Sequence, residues 1–358
     1  MSAWVIAKTG GDPDSPSLEL RESCPTPSKA TEANVIIKIE FAALNQVDFH
    51  FMRSHKNNPF RRTSVPGFDF SGRIVAKGPF APLDLDLGDE VCGVISNGLA
   101  LMGKGTLAEY IEVPASLVVP RPLTLNMAAT AGLGLATQAA LTMLQSRPVK
   151  AGHKVVINGA GGGVGSALTQ IVKSEKGAYV VGICSADNMD RLGELGADHV
   201  CALIKIFILI ISPEADKIQQ VLDFESAESI PDLLSSTYGE DIDTVFDCVG
   251  DSSLYKNSAS FLKRSGVYVG IPGDGSKLFY GPSLKRNALP EFLGGGPRHY
   301  KAVHLSPSGD LQREAVRLAD QGIITEVPID SMFCMDQAVE AYERVMSSKT
   351  CGKVIIRV

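Results

Sequence analysis

The segment Lys154-Val-Val-Ile-Asn-Gly-Ala-Gly-Gly-Gly-Val-Gly165 constrains this chain more than any other, because it joins a buried strand to a helix N-terminus through a turn almost without side chains. Val155, Val156 and Ile157 form the continuous apolar run of a parallel strand covered on both faces, and Val164, Ala167, Leu168, Ile171 and Val172 recur at helical spacing beyond the glycines. A second strand, Ala178 to Ile183, follows. Unpaired backbone N–H groups and the helix dipole make such a turn a seat for a pyrophosphate, and glycine lets the backbone approach it closely. A glycine cluster alone reads equally well as a flexible loop. The strand before and the strand after the helix turn it into a dinucleotide site lined by Ala160, Gly161, Gly162, Gly163, Val164 and Gly165. The spacing departs from strict G-x-G-x-x-G: Gly161, Gly163 and Gly165 alternate, and the turn from Gly159 is one residue longer.

A chain of 358 residues exceeds what one core usually supports, so two domains are expected. With 44% apolar and 21% charged residues it has the composition of a soluble globular protein. A net charge of −6, with no basic run longer than Arg61-Arg62, argues against nucleic acid as the main partner. Cys24, Cys92, Cys184, Cys201, Cys248, Cys334 and Cys351 are scattered, form no C-x-x-C pair and mostly lie in apolar runs. Buried thiols in a reducing compartment fit them better than disulfides or metal ligands. Lys8 is the only basic residue before Arg21, with Asp12 and Asp14 between, which fits neither a secretory signal nor an Arg-rich transit peptide. The longest apolar run, Ile206 to Ile211, is far too short to span a bilayer. The expectation is a cytoplasmic monomer or homodimer acting on a small molecule, with no membrane or nucleic-acid partner.

Residues 1 to about 122 read as short strands punctuated by Gly and Pro: Trp4 to Ala7, Val35 to Phe41, Gly72 to Ala76, Glu90 to Ile95, Ala108 to Val113 and Leu117 to Val119. That is a β-rich, barrel-like domain. A helical pattern runs from Asn126 through Leu144, and strands then alternate with helices as in a doubly wound unit. Later strands are Thr244 to Val249 and Val267 to Ile271, separated by a helix over Ser253 to Lys263. Leu311 to Gln321 and Met335 to Ser347 read as helices, and the strand Lys353 to Val358 is expected to return to the first domain's sheet.

This order, together with Ala43-Leu-Asn-Gln-Val-Asp48, Gly67-Phe-Asp-Phe-Ser-Gly72, Gly88-Asp-Glu-Val91, Gly159 to Gly165, Gly196-Ala-Asp-His199, Phe246-Asp-Cys-Val-Gly250, Phe292 to Arg298 and Gly352-Lys-Val-Ile355, resembles the medium-chain dehydrogenase/reductase superfamily. Within it the similarity is to the zinc-free quinone-oxidoreductase-like branch, close to fungal oxidoreductases related to reticulon-interacting protein. The resemblance implies an α/β chain with two domains. A GroES-like barrel domain covers 1–122, completed by about 299–358, and a Rossmann domain with a doubly wound parallel sheet covers 123–298. It also implies hydride transfer with a nicotinamide cofactor, and puts Cys248, Val249 and Gly270 beside that cofactor.

Zinc-dependent members of the superfamily hold their ion at positions that correspond here to Asn45, Phe68 and roughly Gly132, none of which can ligate zinc. The cysteine-rich loop of a structural zinc is also missing, since Gly93 to Tyr110 contains no Cys. No metal site is therefore expected. Without a Lewis acid an alcohol's proton has no metal-assisted way off, whereas an enone, enoyl thioester or quinone needs only hydride, hydrogen-bond donors and a proton. Zinc-independent reduction of a quinone or activated C=C is thus the leading expectation. Metal-independent alcohol or aldehyde dehydrogenation in fungal secondary metabolism stays open, as does a non-catalytic cofactor-binding interaction protein. Asn45 is the candidate for positioning nicotinamide ribose or a substrate oxygen, and His50 is the candidate proton donor against the alternative of a turn-capping histidine. Asp48 reads as a helix-start residue.

The acidic position that binds the ribose 2′-OH of NAD is Cys184 or Ser185 here, within Gly182-Ile-Cys-Ser-Ala-Asp-Asn-Met-Asp190. Asp187 would repel a 2′-phosphate, but Ser185 and Asn188 can donate to one, so NADPH is favoured over NADH. Lys353 is expected either to reach the cofactor phosphates or to stand solvated at a strand end.

One stretch departs from the resemblance. Gly196-Ala-Asp-His-Val200 begins a motif that Val221-Leu-Asp-Phe224 resumes, and excising Val200 to Gln220 restores it. Val200-Cys201 can be encoded by GTATGT, a common fungal 5′ splice site; Ala215-Asp216 can contain CTGAC and Gln220 can be CAG. Residues 200–220 are read as a retained in-frame intron, with a genuine lid or interface insertion as the rival.

Overall fold

Asn34–Leu44 (β3) carries the first sheet: it is long, rich in β-branched residues, and buries Val35, Ile36, Ile37 and Ile39 almost completely. The computed structural model describes every residue except 7–17, 57–63, 204–207, 212–219, 223–228, 272–292, 294 and 348. The chain divides into two units, Met1–Gln138 with Ser306–Val358, and Ala139–Leu305.

In the first unit β1 (Ala3–Ile6) and β2 (Leu18–Arg21) form a small antiparallel pair. The main sheet contains β3, β4 (Asp69–Lys77), β5 (Glu90–Val94), β6 (Tyr110–Pro114), β7 (Val118–Pro120), β16 (Ile329–Cys334) and β17 (Lys353–Arg357). Its order is β16-β17-β3-β4-β5-β7, with β6 also on β3. The terminal strand therefore returns to the first sheet, antiparallel to β3, with Val354 opposite Leu44. That register brings Lys353 beside the end of β3. Two helices of this unit are α1 (Gln46–Lys56) and α2 (Asn97–Leu101). α3 (Met127–Ser146) is long and apolar enough to cross a membrane, but 89% of its most apolar window is buried, as in a core helix.

The second unit is built on β8 (Lys154–Asn158), α4 (Gly163–Gln170), β9 (Tyr179–Ser185), α5 (Met189–Glu194) and β10 (His199–Leu203). It continues through β11 (Ile208–Ile211), β12 (Gln220–Leu222), α6 (Ile230–Tyr238), β13 (Ile242–Asp247), α7 (Ser252–Lys256), β14 (Leu262–Gly270) and β15 (His299–Ala302). The sheet order is β12-β11-β10-β9-β8-β13-β14-β15. Counted along the chain, its six parallel strands run 3-2-1-4-5-6, the doubly wound order whose direction reverses between β8 and β13.

Three sequence expectations shift. The helix expected over Ser253 to Lys263 stops at Lys256, because Phe261 and Leu262 are fully buried and Leu262 already pairs with Ile242 in the sheet. The stretch His299–Ala302, expected to begin the completion of the first domain, pairs in parallel with β14 and belongs to the second unit. Of the 200–220 stretch, Val200 and Cys201 fill the third parallel position in β10, while β11 and β12 extend the sheet antiparallel at its edge. Ala202 and Leu203 complete β10, and residues 204–207 and 212–219 of that stretch lie outside the described residues.

The C-terminal part of the first unit adds α8 (Gly309–Asp320) and α9 (Ala338–Met346). α9 packs Ala338, Ala341, Tyr342 and Val345 against Trp4, Phe49, Met52 and β17.

Candidate active site

Most residues expected at the cofactor lie at the carboxyl ends of four neighbouring parallel strands of the second unit. Gly159 takes φ +77, a backbone state that disfavours side chains, and the N–H groups of Gly159 and Ala160 both donate to Ile183 O, at 3.0 and 2.9 Å. The turn is thereby tied to β9. A Cβ at Gly165 would stand 2.3 Å from Gly159 O, and one at Gly161 would stand 2.5 Å from the Asn188 amide. Among the described residues, a Cβ at Gly162, the N-cap of α4, would meet nothing nearer than Gly159 O at 3.5 Å, and no side chain caps the helix. An uncapped helix start with open space before it is what an anionic ligand needs. Gly163 and Val164 form the first turn of α4 behind that cap.

Asn188 is buried and donates to Ser185 Oγ at 2.9 Å, so the turn after β9 and the glycine turn share one packing contact. Asp187 beside them is exposed. Across the reversal of strand order, Cys248 N donates to Asn158 O at 3.0 Å. Val249 is 58% exposed, an apolar side chain left in the open against the glycine turn, where a Cβ on Gly159 would meet it at 2.7 Å. The Cys248 thiol is pushed up by burial and, less, by Asp247, so it stays neutral. Gly270 ends β14 beneath the Tyr300 hydroxyl, which would lie 2.7 Å from a Cβ there; internal packing alone accounts for that glycine.

Asp247 was missed at the sequence level. Buried at the end of β13, its Oδ1 accepts from Val249 N, Gly250 N and Asn158 Nδ2, each at 3.0 Å, and its Oδ2 from Asp251 N and Tyr268 OH, each at 2.8 Å. One carboxylate thus shapes the loop that presents Cys248 and Val249. An acidic residue ending an otherwise apolar strand is the signal that could have found it.

Asn45 and Lys353 belong to a different place, in the first unit. Lys353 corrects both expectations made for it: it is 4% exposed, and its ammonium donates to Leu44 O at 3.1 Å, Asn45 Oδ1 at 2.5 Å and Asp69 Oδ2 at 3.2 Å. All three donors are used inside the protein, so it neither stands in solvent nor offers a hydrogen to phosphate. Asp69, fully buried between Phe68 and Phe70, accepts Leu135 N on Oδ1 at 2.7 Å and Asn45 Nδ2 on Oδ2 at 2.9 Å. Glycines in α3 make the room, since a Cβ at Gly134 would lie 2.6 Å from Asp69 Oδ1 and one at Gly132 would lie 3.2 Å from Lys353 Cγ.

Asp48 does sit in the first turn of α1, where its Oδ2 accepts from Asn45 N at 2.9 Å and from Tyr342 OH at 3.2 Å. Its Oδ1 is buried without a partner among the described residues. Burial raises its carboxyl to about 7, against the lowering pull of Asn45 N and Lys353. His50 lies half-buried two residues further along α1.

The positions expected to correspond to zinc ligands, Asn45, Phe68 and Gly132, supply no thiolate, imidazole or carboxylate. Phe68 is 2% exposed, stacks edge-on with Phe51 and has no ligand atom, while Lys353 fills the space beside Gly132. Among the described residues no group of three or more His, Cys, Asp or Glu could hold a metal ion.

The family model described as "Alcohol dehydrogenase GroES-like domain" matches residues 31–123, and that described as "Zinc-binding dehydrogenase" matches residues 214–356. The medium chain reductase pydE of an Acremonium species is 30% identical over 385 residues, covering 100% of this chain and 99% of that protein. The trans-enoyl reductase pgmF of Aspergillus terreus is 29% identical over 380 residues, covering 100% and 96%. The fold is shared with a quinone oxidoreductase from Coxiella burnetii, at a TM-score of 0.74 and 24% identity over 100% of this chain and 99% of that one. With its glycine turn at the reversal of a doubly wound sheet and a GroES-like sheet unit beside it in sequence, the chain belongs to the medium-chain dehydrogenase/reductase superfamily.

Proposed function

We propose that the protein is a zinc-independent NADPH-dependent reductase of an activated C=C, in an enone or enoyl compound, or of a quinone. The observation that carries this reading is the open, uncapped start of α4 at the carboxyl end of β8, facing the Asp247-ordered loop across the reversal of strand order. The names of the reductase relatives support it. Ala160 to Gly165 hold the pyrophosphate, Ser185 and Asn188 take the 2′-phosphate, and Val249, with Cys248 and Gly270, offers an apolar and neutral surface. When bound, the reduced nicotinamide supplies hydride. What the protein adds is binding, exclusion of water and placement, with no ligand set among the described residues for a Lewis acid to polarise the substrate oxygen. His50 is the candidate that delivers the proton, and the first unit with its returning C-terminal strands is the catalytic domain.

Purified protein should oxidise NADPH with a trans-2-alkenal or a benzoquinone, with NADH less effective, and should keep that activity in a strong chelator. It should contain far less than stoichiometric zinc. Oxidation of saturated alcohols without reduction of any alkenal or quinone would move the assignment to a metal-independent dehydrogenase. Failure of NADPH binding altogether would end it.

A further inference from the structure

The Asn45 amide is held by three partners whose chemistry leaves it one orientation. Its Nδ2 carries two hydrogens and has two acceptors, Asp69 Oδ2 at 2.9 Å and Ala43 O at 3.2 Å. Its Oδ1 accepts from the Lys353 ammonium. Turning the amide over would set N–H groups against an ammonium, and the amide oxygen against a carboxylate and a carbonyl, making every contact repulsive. The holding groups are themselves fixed: Lys353 has no hydrogen left over, Asp69 has both oxygens engaged, and both are at least 95% buried. Asn45 is the half-exposed member, and its backbone N–H is taken by Asp48. What this cluster can offer a ligand is therefore the remaining lone pair of Asn45 Oδ1.

We propose that Asp69 and Lys353 are positioning residues that set the hydrogen-bond polarity of Asn45, so that it meets its ligand as an acceptor and binds a hydroxyl group. The proposal rests on the reductase reading for its choice of ligands. A carbonyl or developing enolate oxygen needs a donor and gains nothing from this side chain. A hydroxyl, of the cofactor's sugar or of an alcohol, gains a hydrogen bond to an oxygen whose orientation is already set before binding.

The test is a double-mutant cycle between Asn45→Ala and the pair Asp69→Asn with Lys353→Met. The pair removes both charges together and lets the Asn45 amide turn towards the new amide at position 69, converting acceptor into donor. NADPH affinity is measured by fluorescence titration, butan-1-ol affinity by inhibition of alkenal reduction, and folding by circular dichroism. Asn45→Ala and the paired variant should each weaken the same hydroxyl ligand about tenfold, the size of one lost hydrogen bond. Combining them should add little, because both remove one interaction. A loss confined to NADPH identifies the sugar hydroxyl, and a loss confined to butan-1-ol identifies an alcohol. If the paired variant does not fold, Asp69→Asn alone must weaken the same ligand.

A lowered kcat in Asn45→Ala, with both affinities unchanged, would make Asn45 a donor to the developing oxyanion and overturn the proposal. Additive losses in the cycle would also overturn it, since a merely structural role for the pair predicts them. Wild-type protein that binds no NADPH would instead sink the reductase reading, and direct titration with butan-1-ol would then still decide the polarity of Asn45.

Discussion

The glycine turn of the second unit and the polar cluster of the first are built on opposite plans. At Gly159 to Gly165 the backbone does the shaping, and what matters is where side chains are missing: Gly165 lets the turn close on itself, Gly161 lets it close on Asn188, and Gly162 leaves it open outward. Around Asn45 the side chains do the shaping, through three segments whose contacts span 24, 284 and 308 residues of chain. The first design tolerates no added atom where backbone stands in the way. The second tolerates added atoms poorly and lost charges worse, because a buried ion deprived of its partner has no water to turn to.

The largest expected effect lies in the glycine turn and separates its closing from its opening residues. Gly165→Val puts a branched side chain into Gly159 O and Ala160 Cα, 2.3 and 2.5 Å from the Cβ, and should prevent the unit from folding. Gly162→Val meets only an ordinary contact at 3.5 Å, so it should fold with near-native melting while NADPH affinity falls more than about tenfold through a blocked anion seat. Thermal melts with calorimetric titration decide it, and equal folding with equal affinity in the Gly162 variant would show that the seat lies elsewhere.

The next effect belongs to the cluster. Lys353→Met leaves Asp69 charged and fully buried, and should cost about 3–5 kcal/mol in urea unfolding. Adding Asp69→Asn should recover part of that loss. No recovery would mean that the pair's hydrogen bonds to Leu44, Asn45 and Leu135, more than its charge balance, hold this region together.

This contrast also explains what was legible in the sequence. The glycine turn, the alternation of strands and helices, and the return of Lys353–Arg357 to the first sheet follow from local patterns: glycine spacing, apolar runs and their period. The placement of Lys353 was not legible, because a lysine at a strand end is exposed unless something distant receives it, and Asp69 becomes its receiver only through the pairing of β17 with β3 and β3 with β4. Asp69 carries a signal of its own, as a carboxylate between two phenylalanines. Such a residue must find partners once buried, and the sequence does not say which ones. Asp247 was hidden for the same reason: its acceptors are filled by backbone N–H groups of a loop whose shape it creates.

Asp48 extends the contrast to pH. Burial raises its carboxyl from 3.8 to about 7, so between those values the folded protein holds a proton that the unfolded chain has released. Stability contributed by this residue is therefore greatest at low pH and falls as pH rises through that window, by about 2–4 kcal/mol in total. Urea midpoints at pH 5 and pH 8 should drop more in the wild type than in Asp48→Asn. An equal drop in both would assign the pH dependence to other groups and place Asp48 among ordinary ionised carboxylates.

The smallest effect is expected from the largest change. β10 alone supplies the third parallel strand, with Val200 opposite Gly182 and Cys201 opposite Ile183, and β11 and β12 are added outside it. Because both added pairings are antiparallel, β12 runs in the same direction as β10. Removing residues 200–220 joins His199 to Val221 and sets Val221 opposite Gly182 and Leu222 opposite Ile183, so a buried Val and Cys are replaced by Val and Leu, while Asp223 and Phe224 follow in place of Ala202 and Leu203 at the strand end. The parallel order 3-2-1-4-5-6 survives, as does the glycine turn two strands away. We infer that the shortened chain folds and binds NADPH within about twofold of the full chain, the margin of a few tenths of a kcal/mol. It should also be the more soluble form, since it loses the six-residue apolar run Ile206 to Ile211 and the pairing such a run invites when exposed during folding. Sequencing the transcript then distinguishes a retained intron from an insertion: mature messages that uniformly keep this stretch, together with a shortened protein that melts lower, would make β11 and β12 a working part of the sheet.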